Sequence, residues 1–302
     1  MGLSKFAGFL RLMRFKDYAG SVVFTTCLGA VAGARESVFD WRIMLLVVAN
    51  WLSVGFAFAF NDVEDAPDDA HTPEKAMRNP ITNGMLTKTE GNLISFGVAG
   101  LSILLYIPLG LYPTIFGILC LIFGHLYSWR PLRLKSVPIV DVISHGLMLA
   151  GLQFLAAYFS YNQSLNDLWL APFISMVAAS SYGQLFNEVR DLEGDIKAGV
   201  THTASLLGEH VTHQIMMVLV SLSVLAGVYT ITINRLVPVW VAIFALTLVA
   251  TIFIPAVIKG IRSGSKVNAN EPVINAIPYI GFAMMAVWFI GPWAAKAIGL
   301  NL

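Results

Sequence analysis

Phe60–Pro80 reads FNDVEDAPDDAHTPEKAMRNP and follows directly on the apolar run WRIMLLVVANWLSVGFAFAF of Trp41–Phe60. Seven acidic residues, Asp62, Glu64, Asp65, Asp68, Asp69, Glu74 and Glu90, fall between residues 61 and 91 of a chain that has only 18. A helix-length apolar run that closes on so dense an acidic segment predicts a membrane helix with a polar site at its end.

The whole composition agrees with that reading. The 302 residues are 57% hydrophobic and 12% charged, with a mean hydropathy of +0.71; soluble domains run at about 45–50% apolar and about 25% charged. The predicted fold class is an all-α membrane protein. The net charge is +1 and basic residues form no long run, which argues against a nucleic-acid partner. Cys27 and Cys120 lie inside apolar stretches and read as small buried hydrophobes. Residues 1–16 interleave basic and apolar residues without a small-residue cleavage site. They predict an interfacial segment and no removable signal peptide.

Nine stretches are long enough to span a bilayer: 17–34, 41–60, 92–111, 113–128, 138–160, 168–187, 212–231, 236–259 and 273–299. None alternates with period two, which excludes β-barrel spans. Threading the chain through these spans puts 15 Lys and Arg on one side and 4 on the other (Arg35, Arg42, Arg235, Lys296). The positive-inside rule makes the 15-residue side cytoplasmic. The N-terminus and the loops at 61–91 and 188–211 then face the cytoplasm and the C-terminus the opposite side. The protein is expected in the cell membrane if prokaryotic, as one polytopic domain over residues 1–302.

Twelve of the 18 acids lie in the two loops 61–91 and 188–211. Asn61–Asp69 reads NDVEDAPDD and Asn187–Asp195 reads NEVRDLEGD; both follow Asn, acid, two residues, Asp, three residues, Asp. Each closes an even-numbered span, so the pair predicts a parallel internal repeat. If the helices continue past the membrane, Asn61, Asp65 and Asp69 stack on one face, as do Asn187, Asp191 and Asp195. Carboxylates four apart repel and call for a cation. Oxygen ligands without Cys or His suit Mg²⁺, which takes one or two carboxylates and shares the rest of its shell with water and phosphate. Pro67 and Gly194 inside the motifs are expected to kink or end the helices. Paired acidic motifs also fit a cation transporter, but its site belongs near the bilayer midplane, not at helix ends.

NDVEDAPDD matches the NDxxDxxxD motif of the UbiA superfamily of intramembrane prenyltransferases. RDLEGDIKAGVTHTASLLG (Arg190–Gly208), YSWRPLRLK (Tyr127–Lys135) and RNPITNGMLT (Arg78–Thr87) also resemble that family's elements. The resemblance covers most of the first 210 residues. It implies nine helices around a central cavity, a polar cap after helices two and six, and Mg²⁺-dependent transfer of an isoprenyl group from its diphosphate to a lipophilic acceptor. By motif match Asn61, Asp62, Asp65, Asp69, Asn187, Asp191 and Asp195 would hold Mg²⁺. Asp65, Asp191 and Tyr127 would be catalytic, and Arg14, Arg78, Ser128, Arg133, Lys135 and Arg190 would bind the diphosphate. Phe56, Phe60, Tyr182 and Phe186 are candidates for stabilising an allylic cation. His71, His125, His145 and His202 carry no assigned role. The default acceptor is an aromatic quinone precursor, with a carotenoid or a glycerol-phosphate lipid as alternatives.

Overall fold

The computed structural model of the protein describes residues 2–36, 39–197, 200–263, 270–291 and 299. These form twelve α-helices and, among the described residues, no strand. In chain order they are α1 (Gly2–Met13), α2 (Phe15–Ala34), α3 (Trp41–Asp69), α4 (Pro73–Arg78), α5 (Lys88–Tyr106), α6 (Leu111–Ser128), α7 (Val140–Gly146), α8 (Leu152–Phe159), α9 (Leu170–Lys197), α10 (Thr203–Thr232), α11 (Val239–Ser263) and α12 (Asn270–Met285). A wide π turn, Leu147–Gly151, joins α7 to α8.

Among the described residues six helical segments are long and apolar enough to cross a membrane: Trp41–Asp69, Lys88–Leu109, Leu111–Ser128, Val140–Phe159, Thr203–Thr232 and Val239–Lys259. The other three expected spans fall on helices that do not meet that standard. α2 is rich in Gly, Ala and Thr and faces protein along most of its length. α9 runs on into the polar second motif. α12 has 16 residues and passes into a second π turn, Ala286–Ile290; residues 292–298 of the expected 273–299 span, with Lys296, lie outside the described residues, as does Lys266.

α3 starts at an Asp40 cap, whose carboxylate accepts from Arg42 N at 3.0 Å and Ile43 N at 3.3 Å. It then runs unbroken through Pro67 to Asp69, where a kink or end was expected. Proline removes one N–H from a helix and disturbs the preceding turn. Here side chains from neighbouring loops reach the carbonyls of that turn. Asn79 Nδ2 donates to Asp62 O at 2.7 Å, Arg130 Nε to Glu64 O at 3.0 Å and Thr82 Oγ1 to Ala66 O at 3.0 Å. α9 likewise continues through Gly194 to Lys197.

α3 packs against α2, α5 and α6, while α2 lies between α8 and α12. The α2–α8 approach depends on Gly29 and Gly33, one turn apart: a Cβ on either would run into the backbone oxygen of Phe154 or Tyr158. Small residues at i and i+4 let membrane helices come this close. Buried polar side chains join the bundle core. Asn50 donates to Thr26 Oγ1 at 2.8 Å and accepts from the Tyr106 hydroxyl, and Ser102 donates to Ala49 O at 2.9 Å.

Hydrogen bonds gather the loops at two ends of the bundle. At one end Thr203 N reaches Asp141 at 2.6 Å, Thr201 reaches Ser136 O at 3.1 Å and Arg130 N reaches Glu64 at 3.2 Å. At the other, Arg35 pairs with Asp167 at 2.9 Å and Tyr161 donates to Asp40 at 2.6 Å. Both acidic motifs lie at the first end, called the cap below.

Gly33→Val is expected to overpack the α2–α8 seam by about 1–3 kcal/mol and to lower the midpoint of thermal unfolding in detergent by several degrees. Gly97, on α5, has open space where a Cβ would go, so Gly97→Ala should change stability by no more than about 1 kcal/mol.

Candidate active site

A cavity of about 690 Å³ opens at the cap and descends between α3, α6, the α7–α8 segment and α9. The α3 wall is Ala57, Phe58, Asn61, Asp65 and Asp69, one face of a helix at steps of three and four. Across the cavity α9 presents Gln184, Asn187 and Asp191 on the equivalent face. The two motifs therefore look at each other over one space. Arg14, Lys16, Lys75, Arg78 and Arg190 complete its polar rim, and Met148 and Leu149 its apolar floor, with Tyr127 and His145 also bordering it.

The α3 ligand candidates are held by two loops, the one after α6 for Asn61 and Asp65 and the one after α4 for Asp69. Asn61 Oδ1 accepts from Ser128 Oγ and from Lys135 Nζ, both at 2.9 Å. Asp65 accepts from Lys135 Nζ at 2.6 Å and Arg133 Nη2 at 3.0 Å. Asp69 accepts from Asn79 Nδ2 at 2.8 Å. Lys135 thus lies between Asn61 and Asp65. Burial pushes its ammonium below the usual lysine range, and Asp65 opposes that shift. Arg133 reaches Asp65 and Asp68 from a left-handed backbone, φ 41°, a conformation that costs a non-glycine residue on the order of 1 kcal/mol or more.

The remaining expected site residues divide. Asp191 borders the cavity and takes a two-pronged contact from Arg190, at 2.9 and 3.1 Å. Asp62 is buried behind α3, 3.4 Å from Arg14 Nη1. Asp195 is not on the cavity wall; it meets His202 Nε2 at 3.2 Å. Ser128, Arg133 and Lys135 are placed behind the α3 ligand candidates and do not line the cavity, whereas Arg14, Arg78 and Arg190 do.

Among the aromatics, Phe56 and Phe60 turn away: both pack against Phe96, and Phe60 stacks on His125. Tyr182 and Phe186 pack with Leu185 and Met216. The rings on the cavity are Phe58, Tyr127 and Tyr279. Phe58 stacks on Tyr18 at 5.1 Å and lies 4.7 Å under the Arg14 guanidinium. Stepping back three and four from Asn61 and Asn187 would have found Phe58, Ala57 and Gln184. Nothing in the local sequence marks Lys16, Lys75 or Tyr279.

Within the second motif, Glu188 and Asp195 share one imidazole. Glu188 is buried; it accepts from Ala204 N at 3.0 Å and Gln184 Nε2 at 2.8 Å, and His202 Nδ1 lies 3.3 Å away. At the start of α10 Ser205 Oγ accepts from His202 N at 2.8 Å. Burial opposes charging of His202, but its contacts with Asp195 and Glu188 outweigh that and push its pKa from 6.5 up to about 9.

A family model described as the UbiA prenyltransferase family matches residues 22–271. A lycopene elongase/hydratase of Haloarcula japonica is 26% identical over 91% of this chain and 88% of its own length. A 4-hydroxybenzoate octaprenyltransferase of Providencia stuartii is 25% identical over 75% of this chain and 78% of its own length. A UbiA homologue from Archaeoglobus fulgidus, solved with DMAPP and Mg²⁺, superposes with a TM-score of 0.66 at 21% identity, covering 92% of this chain and 99% of that one. That likeness shows a shared fold.

The raised value for His202 sets a pH window. A group whose pKa rises on folding stabilises fully below its unfolded value and loses that contribution as the pH passes its folded value. Metal-free protein should therefore lose thermal stability from pH 6.5 through about 9. His202→Gln should flatten this slope, read as unfolding midpoint against pH.

Proposed function

The chain belongs to the UbiA prenyltransferase family, and from that premise we propose that it transfers an isoprenyl group from an isoprenyl diphosphate to a lipophilic acceptor of the aromatic quinone-precursor type, with Mg²⁺. The observation that carries this reading is the pairing of Asn61, Asp65 and Asp69 with Asn187 and Asp191 across one cavity that has an apolar floor.

The residues present fit Mg²⁺. All five are hard oxygen donors, and a lysine ammonium already lies between Asn61 and Asp65, as a cation would. Among the described residues no three Asp, Glu, His or Cys side chains close on a single point. When bound, Mg²⁺ would neutralise the charge that builds on the departing diphosphate.

The protein's own groups do the rest. Arg14, Arg78 and Arg190 grip phosphate oxygens at the rim, where a guanidinium can make two parallel bonds. Arg133, Lys135 and Ser128 hold Asp65 and Asn61 in register. Met148, Leu149 and Ala57 keep water from the carbon end of the donor. Tyr127 and Tyr279 border the cavity, where a ring face turned to the positive carbon is worth about 0.5–2 kcal/mol.

The same reading gives one nine-span domain with its cap in the cytoplasm. It is supported by the 15-to-4 split of basic residues and by the gathering of both motifs at one end. A carotenoid acceptor is the second reading, favoured by the Haloarcula protein, whose alignment runs through nearly the whole chain.

Purified protein in detergent, with Mg²⁺ and geranyl diphosphate, should consume the diphosphate without any ion gradient, which a transporter would not. Pairing it in turn with 4-hydroxybenzoate and lycopene separates the two acceptor readings. Asp65→Ala and Asp191→Ala should each abolish turnover, measured as diphosphate release. Near wild-type rates in either variant would sink the two-motif reading.

A further inference from the structure

The cap accounts for the diphosphate but not for the proton that must leave the acceptor. In prenyl transfer the C–O bond to diphosphate breaks and its electron pair departs with the diphosphate. A π pair or a hydroxyl lone pair of the acceptor then bonds to the prenyl carbon. The acceptor is left one proton in excess, on carbon for an aromatic or polyene and on oxygen for an alcohol. A cavity that excludes water must supply a base within reach of that atom.

We infer that His145 is this base: its Nε2 takes the acceptor's proton and passes it to the departing diphosphate. Four observations converge on it. His145 is the only imidazole among the described residues that line the cavity. It lies four residues past Asp141, roughly 6 Å deeper along the helix, on the same face as the floor residues Met148 and Leu149 at i+3 and i+4. Its Nδ1 is 3.2 Å from Ser180 Oγ on α9; with Nδ1–H donated to that hydroxyl, Nε2 presents a lone pair. No hydrogen bond engages Nε2 among the described residues, and the Tyr127 ring is 6.2 Å away.

The fourth observation is in the backbone. The π turn Leu147–Gly151 begins two residues after His145. Such turns are rare, and they gather at functional sites because they re-aim side chains within a helix. This one brings both Met148 and Leu149 to the cavity wall. The other ionisable lining groups are placed for other work. Asp65, Asp69 and Asp191 belong to the ion cradle, Asp17 is tied to Arg14 at 2.7 Å, and the remainder are cations or phenols. An ionisable side chain inside a membrane bundle is rarely kept without a function.

The inference rests on the prenyl-transfer reading, and the test separates the two. Wild-type protein, His145→Gln and His145→Ala are compared with Mg²⁺, geranyl diphosphate and whichever of 4-hydroxybenzoate or lycopene the wild type prenylates. For the variants we expect the KM for geranyl diphosphate to stay within about threefold and kcat for the coupled product to fall about 100-fold or more. An acceptor deuterated at the reacting carbon should show a primary isotope effect in His145→Gln that is absent in the wild type, and added imidazole should restore product in His145→Ala. Coupled product within about threefold of wild type, or a loss with no isotope effect and no imidazole rescue, overturns the role of His145. A wild type that consumes no geranyl diphosphate overturns the prenyl-transfer reading beneath it.

Discussion

Everything at the cap depends on how the acids of α3 are compensated. Asn61, Asp65 and Asp69 stack one turn apart on a single helix face, an arrangement that repels itself unless positive or donor groups intervene. Those groups come from three places: Ser128 at the end of α6, Arg133 and Lys135 in the loop beyond it, and Asn79 after α4. Each is on a different stretch of chain, so meeting the acids draws these loops against the helix end. The same loops cap the carbonyls around Pro67. The site and the fold of the cap are therefore one electrostatic solution.

The second motif repeats the pattern but not the solution. Asp62 and Glu188 correspond, and both are buried behind their helices beside a cationic partner, Arg14 in one case and His202 in the other. Asp65 and Asp191 correspond, and both border the cavity with an arginine in contact. At the third position the halves diverge: Asp69 faces the cavity, while Asp195 is drawn to His202. An imidazole bridging two acids holds the α9–α10 turn as the lysine and arginine hold the α3 loops, but it leaves only one α9 carboxylate on the wall.

How far the sequence could be read follows from range. The stripes of Asn61–Asp69 and Asn187–Asp195 are intrahelical, so period alone predicts them, and α3 and α9 do carry them. The expected break at Pro67 was a sound local reading that tertiary donors override. Phe56 and Phe60 were candidates by proximity to the motif, yet they lie on a neighbouring face; the three-and-four rule points to Phe58. Arg133 and Lys135 look like phosphate ligands by type, and only the fold reveals that their first contact is Asp65. His202 lies seven residues past Asp195, across a turn whose geometry no pattern encodes. Of the unconfirmed spans, α2 is diluted by Gly, Ala and Thr where it packs on α3, α8 and α12, and α12 is apolar but passes into a π turn after 16 residues.

The depth profile of the cavity carries the functional reading one step further. Down α3 the wall changes from Asp69 and Asp65, through Asn61, to Phe58 and Ala57 within about three turns, and α9 with α7 and the π turn follows the same order from Asp191 to His145 and Met148. An amphipathic donor has one way to lie in such a gradient. Its charged end meets the rim, where water and cations are available, and its carbon end meets the floor, where neither is. Under the proposed reading, bond breaking then occurs at the boundary. Charge is stabilised on the leaving side by groups that cost little to hold near water. Under the same proposed reading the cation on the other side meets aromatic rings, aliphatic carbon and one imidazole. Moving the acids even one turn deeper would bury them at a steep desolvation cost. Their confinement to the helix ends thus follows from the same physics that makes them scarce elsewhere in the chain.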